Sequence, residues 1–282
     1  MKKFFKIILT ALAALCFAFP LAACNDGGIK KDGTVFIAAS ASPHAEILEQ
    51  AKPILERDYG IKIQIKIFDD YPLFNPATAD GSVYANYFQH TPYLDDYNAN
   101  AKEKNRLVSA GKIHFEPLGL YLGAKNTAPD SLDQAKEAAN LVIAIPNDAT
   151  NGARALFLLS ANGIINSTAS AEQKGLSATK ADFDLRGNII AELSAQQIPQ
   201  SLPDCDLAVI NGNYALAAEV DVSLRLAQED ALSQAADRYA NIVAVRPDCV
   251  DSDITRALNA VLTSDEIREF ILDRYDGFVL PV

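Results

Sequence analysis

The chain has 282 residues, of which 49% are hydrophobic and 22% charged, and its formal net charge is −11. A chain of this length and apolar content can bury one large core or two smaller cores beside a cleft, which excludes a disordered protein. The acidic surplus argues against nucleic-acid binding and against electrostatic docking on membranes.

The first 23 residues have the profile of a secretory signal peptide. The opening MKKFFK is positively charged, and the next 17 residues carry no charge, which is the usual order of a signal sequence. A short transmembrane anchor is the alternative, but Pro20 interrupts the run, and about 20 residues are needed to span a bilayer. The run ends at LAAC (21–24), which resembles the lipobox of bacterial lipoproteins.

The lipobox resemblance predicts that residues 1–23 are removed and that Cys24 is lipidated. Residues 24–33 then form a polar tether, and the nine residues after Cys24 reach about 30 Å when extended. The folded body is therefore predicted at the extracytoplasmic face of the cell membrane, periplasmic or on the cell surface. Cys205 and Cys249 remain in the mature chain, either as a disulfide or as two unpaired thiols.

The mature chain opens with a predicted β-α-β pattern. TVFIAA (34–39) reads as a short buried strand. A helix follows, with Ser42-Pro43 as its predicted cap and first turn and with Tyr59-Gly60 at its end. Four isoleucines then alternate with polar residues over 61–67, which indicates a strand with one face in water.

Three later apolar runs are each followed by a helical pattern: LVIAI (141–145), LAVI (207–210) and IVAV (242–245). Strands separated by helices predict an α/β protein with mostly parallel sheets. The length after the signal favours two lobes rather than one. We predict a discontinuous first lobe of residues 34–118 with 244–282, and a second lobe of residues 119–243.

The sequence offers little for catalysis or for a metal site. His44, His90 and His114 are far apart and have no metal-binding spacing, and GxSxG, P-loop and dinucleotide glycine patterns do not occur. Cys205 and Cys249 each neighbour aspartates, which raise a thiol pKa and disfavour a reactive thiolate. We therefore predict no enzyme, no cofactor and no metal.

Arg154 and two asparagines indicate a ligand site. Arg154 falls in the predicted first turn of a helix starting near Asn151, where the helix dipole disfavours a cation. A bound carboxylate would explain its position; a salt bridge to an acid such as Asp148 is the alternative. Asn211 ends one predicted strand and Asn241 begins another, where ligands bind in open α/β folds, although both are also common turn residues.

The segment NYFQHTPYLDDY (86–97) combines four aromatic rings with a histidine. Its composition alone favours a core interpretation, because aromatic side chains bury large apolar areas. A ligand-site wall is the alternative.

Many segments between about residue 34 and residue 282 resemble, in order, the methionine-binding lipoprotein family (NlpA type), the substrate-binding subunits of methionine ABC importers. They include SPHAEIL, NYFQHTPYLDDY, HFEPLGLYLGAK, LVIAIPNDATNGARALFLL, SLPDCDLAVINGNYA and YANIVAVR. The resemblance implies a periplasmic-binding-protein type 2 fold, in which two α/β lobes close over one amino acid. Tyr84, Ile189 and Glu219 depart from common family residues, but none is an assigned site residue.

The resemblance also implies seven ligand-binding residues: Tyr71, Phe88, His90 and Tyr93 as the side-chain pocket, Arg154 for the carboxylate, and Asn211 and Asn241 for the backbone groups. The aromatic segment then becomes a pocket wall, because a thioether gains about 0.3–1.5 kcal/mol from each sulfur–ring contact. The implied ligand is L- or D-methionine, and the implied partners are an ABC permease and its ATPase. Alternatives are a methionine-containing dipeptide or another small apolar amino acid as ligand, an adhesion or interaction lipoprotein, and a metal-binding lipoprotein.

Overall fold

The computed structural model of the chain describes residues 27–230 and 234–282. The predicted signal peptide and Cys24 lie outside the described residues. The strands, in chain order, are β1 (Val35–Ala39), β2 (Ile63–Ile67), β3 (Ala85–His90), β4 (Val108–Phe115), β5 (Gly119–Leu122), β6 (Val142–Pro146), β7 (Asn166–Ser167), β8 (Phe183–Asp184), β9 (Ile189–Leu193), β10 (Leu207–Ile210), β11 (Arg225–Gln228), β12 (Asn241–Val245) and β13 (Leu280–Pro281).

The helices alternate with these strands, as the sequence predicts for an α/β protein. They are α1 (Glu46–Tyr59), α2 (Phe74–Ala79), α3 (Thr91–Asn100), α4 (Leu132–Glu137), α5 (Ala149–Ala161), α6 (Ala169–Lys174), α7 (Gly212–Ala217), α8 (Gln234–Arg238), α9 (Asp253–Leu262) and α10 (Asp265–Tyr275). No helix within residues 27–230 and 234–282 is long and apolar enough to span a bilayer.

Two sheets divide the fold into two lobes. The first has six strands in the order β13-β4-β12-β3-β1-β2, and the second has five in the order β11-β5-β10-β6-β9. Helices α1, α9 and α10 pack on the first sheet through residues such as Leu48, Leu258 and Ile271. A separate apolar core, which includes Ile143, Leu156 and Leu159, fills the second lobe.

Most strands of each sheet point the same way, as predicted, although both sheets are mixed: the shared direction holds for four of six strands in the first sheet and four of five in the second. In the first sheet β1 is parallel to β2 and β3, whereas β12 is antiparallel to β3 and β4. In the second sheet β10 is parallel to β6 but antiparallel to β5. The reason is the route of the chain: β5 and β12 each enter their sheet from the other lobe, and therefore start where the neighbouring strands end.

The registers place these strand ends at one cleft. Asn241, the first residue of β12, is aligned with His90 at the end of β3 and with His114 near the end of β4. Gly119, the first residue of β5, is aligned with Ile210 at the end of β10. Side chains at the carboxyl ends of β3, β4 and β10 therefore face one another across the cleft, which is where α/β folds bind ligands.

The helical segment Ala41–Ala45 leads into α1, and Ser42 is its one residue with an extended backbone. Extended backbone is the conformation of a residue that precedes a helix, so the backbone agrees with the predicted start at Ser42-Pro43. No side chain caps this helix. Instead, Ser40 Oγ lies 2.6 Å from His44 Nδ1, so the serine that follows β1 fixes the orientation of an imidazole below the cleft.

The predicted tether is shorter than nine residues. Ile29 forms a β-bridge with Val35, and the backbone N–H of Phe36 donates to the Gly28 carbonyl. The Arg246 guanidinium donates to the Gly27 carbonyl at 2.9 Å. Residues 27–33 therefore pack on the first lobe, because their backbone groups find partners there that an extended tether does not have.

Cys205 and Cys249 are free thiols. Of the two predicted alternatives, a disulfide or two unpaired thiols, the structure contains the second. Cys205 precedes β10 in the second lobe, whereas Cys249 follows β12 in the first lobe. Burial raises the pKa of Cys205 to about 11, and Asp206 and Asp204 add smaller effects in the same direction. The Cys205 thiol is therefore protonated at neutral pH, as the sequence predicts, and burial is the main cause.

Candidate functional site

One cavity between the lobes brings together all seven residues of the predicted site. The space among its lining residues, including the part open to solvent, is about 330 Å³. The residues that line it are Tyr71, Phe88, Gln89, His90, Tyr93, Glu116, Asn151, Arg154, Asn211, Gly212, Asn213 and Asn241. Sequence analysis missed five of these: Gln89, Glu116, Asn151, Gly212 and Asn213.

One wall of the cavity is aromatic. The ring centroids of Tyr71 and Phe88 are 5.4 Å apart, and those of Phe88 and Tyr93 are 5.5 Å apart. Phe74 lies behind this wall and stacks on Phe88 at 4.0 Å. The alternation of β3 explains the arrangement: Phe88 faces the cavity, and the neighbouring Tyr87 is fully buried in the core of the first lobe. The segment 86–97 is therefore part wall and part core.

His90 links the aromatic wall to the second lobe. It caps α3, where its Nδ1 accepts the backbone N–H of Tyr93 at 3.1 Å. That bond assigns the proton to Nε2, which lies 3.1 Å from Asn151 Oδ1 in the other lobe. Burial, together with the nearby Arg154 charge, lowers the pKa of His90 to about 3. His90 is therefore a neutral N–H donor at neutral pH.

Arg154 lies in the second turn of α5 rather than the first. The helix starts at Ala149, because Asp148 caps it by accepting the Asn151 backbone N–H at 3.0 Å. The alternative of a salt bridge to an acid is present, but the acid is Glu229 rather than Asp148. Nε and Nη2 of Arg154 donate to the two carboxylate oxygens of Glu229 at 3.0 and 2.6 Å.

The ion pair with Glu229 does not use all the N–H groups of the Arg154 guanidinium. A guanidinium has five N–H groups. Glu229 takes two of them, and Asn151 Oδ1 accepts a third from Nη1 at 3.0 Å. The Tyr239 ring covers one face of the guanidinium at 4.2 Å. The arginine is thus held from several sides, and within the part of the chain that the structure describes two of its N–H groups remain for a ligand carboxylate.

Two of the cavity asparagines present unpaired polar atoms. Asn211 Oδ1 and Asn213 Nδ2 are buried and have no hydrogen-bond partner among the described residues. Asn213 Oδ1 accepts from the Tyr71 hydroxyl at 2.6 Å, and Asn241 Oδ1 lies 3.0 Å from His44 Nε2. A buried polar atom without a partner is costly. These atoms therefore favour a polar ligand in the cavity.

Below the cavity, two distant histidines meet the carboxylate of Glu116. His114 Nε2 lies 2.7 Å from Glu116 Oε1, and His44 Nε2 lies 3.3 Å from the same oxygen. The Tyr87 hydroxyl contacts His114 Nδ1. Burial lowers the pKa of His44 to about 4 and that of His114 to about 3, so both imidazoles are neutral at neutral pH.

One ligand atom from each of His44, His114 and Glu116 lies within 4.8 Å of the others. Such a grouping can hold a metal ion. No sequence spacing indicated it, because the residues come from the segment between β1 and α1, from β4 and from the loop after β4. Hydrogen bonds account for the imidazole nitrogens, however: Ser40, Asn241, Tyr87 and Glu116 are their partners. The geometry favours a neutral hydrogen-bond network over a metal centre.

Two hydroxyls bind the lobes to each other. The Tyr71 hydroxyl donates to Asn213 Oδ1 at 2.6 Å, and the Tyr214 hydroxyl donates to the Asp69 carbonyl at 2.7 Å. Tyr71 and Asp69 follow β2 in the first lobe, whereas Asn213 and Tyr214 lie in α7 of the second. The structure is therefore the closed arrangement of the cleft.

Replacing Tyr71 with phenylalanine is expected to weaken ligand affinity about three- to tenfold, because one hydrogen bond of the closed state is lost. Most of the change should be faster ligand release, measured by stopped-flow or surface plasmon resonance. Tyr97→Phe is the matched control, since that hydroxyl donates to the Asn105 carbonyl within the first lobe. Equal effects from both variants would contradict a role of Tyr71 in closure.

Comparisons with known proteins agree with this geometry. The profile of the NlpA lipoprotein family matches residues 35–282. The chain is 35% identical over 289 residues to the methionine-binding lipoprotein MetQ of Bacillus subtilis (strain 168), with 98% of each chain covered.

Two solved structures share the fold. A nutrient-binding protein from Burkholderia cenocepacia, bound to methionine, has a TM-score of 0.79 and 33% identity, covering 88% of this chain and 99% of that one. A periplasmic substrate-binding protein of an ABC transporter from Coxiella burnetii has a TM-score of 0.77 and 34% identity, covering 88% and 100%. The two-lobed α/β architecture is therefore that of periplasmic substrate-binding proteins.

Proposed function

Because the chain belongs to the NlpA lipoprotein family, we propose that it is an extracytoplasmic, lipid-anchored solute-binding protein for methionine. It captures the amino acid between its lobes and delivers it to an ABC permease driven by an ATPase. The observation that carries this proposal is the interlobe cavity, which unites an aromatic wall, a buried arginine and unpaired asparagine atoms. In this proposal the cleft binds and releases its ligand without catalysis.

The cavity suits the two halves of methionine separately. The rings of Tyr71, Phe88 and Tyr93 surround an apolar space, where a thioether gains sulfur–ring contacts and leaves water. The two free N–H groups of Arg154 suit a carboxylate. The contacts strengthen as the lobes close, because water is excluded and the local dielectric falls. A dissociation constant below about 1 μM, more than about 8 kcal/mol, is in the range such sites reach.

The lobes move around the two chain crossings in this proposal. We place the first crossing after β4, between residues 116 and 118. We place the second crossing before Asn241, three residues earlier than the predicted boundary; the observation that supports this is that Asn241–Val245 is a single strand of the first sheet. The proposed lobes are residues 34–118 with 241–282, and residues 119–240.

The test is to unfold the purified mature domain, remove bound small molecules, identify them by mass spectrometry and titrate them back by calorimetry. We expect methionine to be released and to rebind with submicromolar affinity. A competition series of L-methionine, D-methionine, methionine dipeptides and other apolar amino acids defines the preferred ligand. Release and rebinding of a different molecule would reject methionine but keep the binding-protein assignment; a protein that binds none of these ligands would reject both.

The lipid anchor rests on Cys24 in this proposal. Cys24→Ser removes the thiol that is acylated, so we expect the protein to move from the membrane fraction to the soluble extracytoplasmic fraction. Fractionation followed by immunoblotting measures the change. Cys249→Ser is the control, since that free thiol lies in the folded first lobe. A Cys24→Ser protein that stays with the membrane would contradict the anchor.

A further inference from the structure

Glu116 is a charged residue of the cavity that the seven-residue site does not include. It follows β4 at the cleft and is 7% exposed. Its carboxylate packs against Gly212 so closely that an added Cβ there would lie 3.1 Å from Glu116 Oε2. The nearby backbone N–H of Asn213 partly offsets the rise that burial causes in the pKa of this carboxylate. Glu116 is thus fixed at the point where the first lobe meets the start of α7.

The polar groups around Glu116 are hydrogen-bond donors. His114 Nε2 lies 2.7 Å from Glu116 Oε1, and His44 Nε2, which also lies 3.0 Å from Asn241 Oδ1, is 3.3 Å from the same oxygen. An ionised carboxylate only accepts hydrogen bonds, which fits these neighbours. Both imidazoles are neutral at neutral pH, however, because burial lowers their pKa values to about 4 and about 3.

No cation of the described chain forms an ion pair with Glu116 at neutral pH. Burial raises the pKa of Glu116, and the Arg154 charge only partly offsets this shift, because the bidentate ion pair of Arg154 is with Glu229. A buried carboxylate without a cationic partner is unfavourable. The cavity itself is the space from which a cation can reach this carboxylate.

A second, independent observation concerns the neighbouring asparagine. Asn211 is 7% exposed, lines the same cavity, and has a buried Oδ1 without a partner among the described residues. Asn211 and Asn213 flank Gly212, on which the Glu116 carboxylate packs. An unpaired acceptor beside an uncompensated carboxylate matches the needs of an ammonium group, which has three N–H donors and no acceptor.

We propose that Glu116 is the counter-ion for the α-ammonium group of the ligand, and that the site therefore requires a free amine. This inference rests on the proposed function of the same cleft and extends it. The zwitterion is recognised at both ends, by Arg154 at the carboxylate and by Glu116 with Asn211 at the ammonium. Ligands with an acylated or absent α-amino group bind poorly, although their thioether chain fits the aromatic wall unchanged.

The test combines two proteins with two ligands. Wild type and Glu116→Gln are titrated by calorimetry with methionine and with its des-amino analogue, 4-(methylthio)butanoic acid. Glutamine keeps the size and an acceptor for the imidazoles but removes the charge. We expect the substitution to weaken methionine binding about tenfold or more and to change binding of the des-amino analogue less than about threefold. Glu137→Gln, at an exposed position of α4, controls for the loss of one negative charge.

A merely structural role of Glu116 predicts a different pattern. If the substitution weakens both ligands by the same factor, the carboxylate supports the fold of the site and the proposal is overturned. If Glu116→Gln does not fold, as judged by circular dichroism, titration of the wild-type protein alone still tests the proposal. Its affinity for methionine must exceed that for the des-amino analogue and for N-acetylmethionine by about tenfold or more, and equal affinities overturn the proposal.

Failure of the methionine assignment is distinguishable from failure of this inference. If wild type does not bind methionine, native mass spectrometry is run with a mixture of amino acids and their N-acetyl derivatives. Capture of a free amine without its acetylated form keeps Glu116 as the ammonium partner and rejects methionine alone. Capture of acetylated forms equally well, or of no amine at all, overturns the inference.

Discussion

Replacing Arg154 with alanine is expected to weaken methionine binding by about 2 kcal/mol or more, a factor of about 30. The side chain is 4% exposed, so its loss removes charged hydrogen bonds from a dry site and leaves the ligand carboxylate unpaired. Calorimetry on protein stripped of bound ligand measures the change. Arg154→Ala with wild-type affinity would contradict the carboxylate assignment.

The ion pair with Glu229 requires a control for this experiment. Arg154→Ala also leaves the Glu229 carboxylate, whose side chain is 11% exposed, without its guanidinium. The double variant Arg154→Ala with Glu229→Gln removes that uncompensated charge. We expect it to recover folding stability, as measured by urea unfolding, but not methionine affinity. Recovery of affinity in the double variant would show that the stranded carboxylate, and not the missing ligand contact, caused the loss.

Acidification is expected to destabilise the ligand-free protein between about pH 6.5 and about pH 4. His44, His90 and His114 are buried, and burial lowers the pKa of each, to about 4, about 3 and about 3. In the unfolded chain a histidine has a pKa of about 6.5. Between these values the unfolded state binds more protons than the folded state, so the free energy of unfolding falls as the pH falls.

The expected slope is about 1.4 kcal/mol per pH unit for each histidine that is protonated only when unfolded. The full contribution is present above about pH 6.5 and is lost as the pH drops towards the folded pKa values. Glu116 opposes the trend, because burial raises its pKa and the folded state therefore takes up a proton earlier. Asp148 acts in the same direction as Glu116, because burial also raises its pKa. The net effect remains destabilising, since three histidines act against two carboxylates.

Urea unfolding followed by far-UV circular dichroism at about pH 7, 6 and 5 measures this slope, and the method suits a chain without tryptophan. His44→Gln removes one of the three titrating groups and should reduce the slope by about one third. Repeating the series at high salt is the control, because salt screens surface charges and leaves buried groups nearly unaffected. A pH-independent free energy of unfolding would contradict the three neutral histidines.

Local pattern was sufficient for most of the secondary structure. The apolar run at 207–210 is β10 in full, and the helical pattern predicted after the run at 242–245 is present as α9 and α10. Periodicity succeeds there because an alternating or apolar run has one way to bury its hydrophobic face. It did not give the direction of β5 and β12, because both strands owe their antiparallel pairing to the chain crossing between lobes.

Seven residues of the site could be predicted from the sequence, but their long-range contacts could not. The resemblance to a family placed seven residues that the structure brings to one cavity. The rule that ligands bind at strand ends, applied to β4, would also have indicated Glu116. No local pattern indicated that Arg154 pairs with Glu229, which is 75 residues away in the sequence.

The sequence by itself determined the α/β class, the number of lobes and the aromatic and polar residues available at the strand ends, because these follow from periodicity and residue type. Only the tertiary structure decided which of those residues meet. Phe88 faces the cavity while Tyr87 lies in the core, and His44 and His114 converge on Glu116. Such choices depend on sheet register and on lobe closure, which bring together atoms from distant parts of the chain.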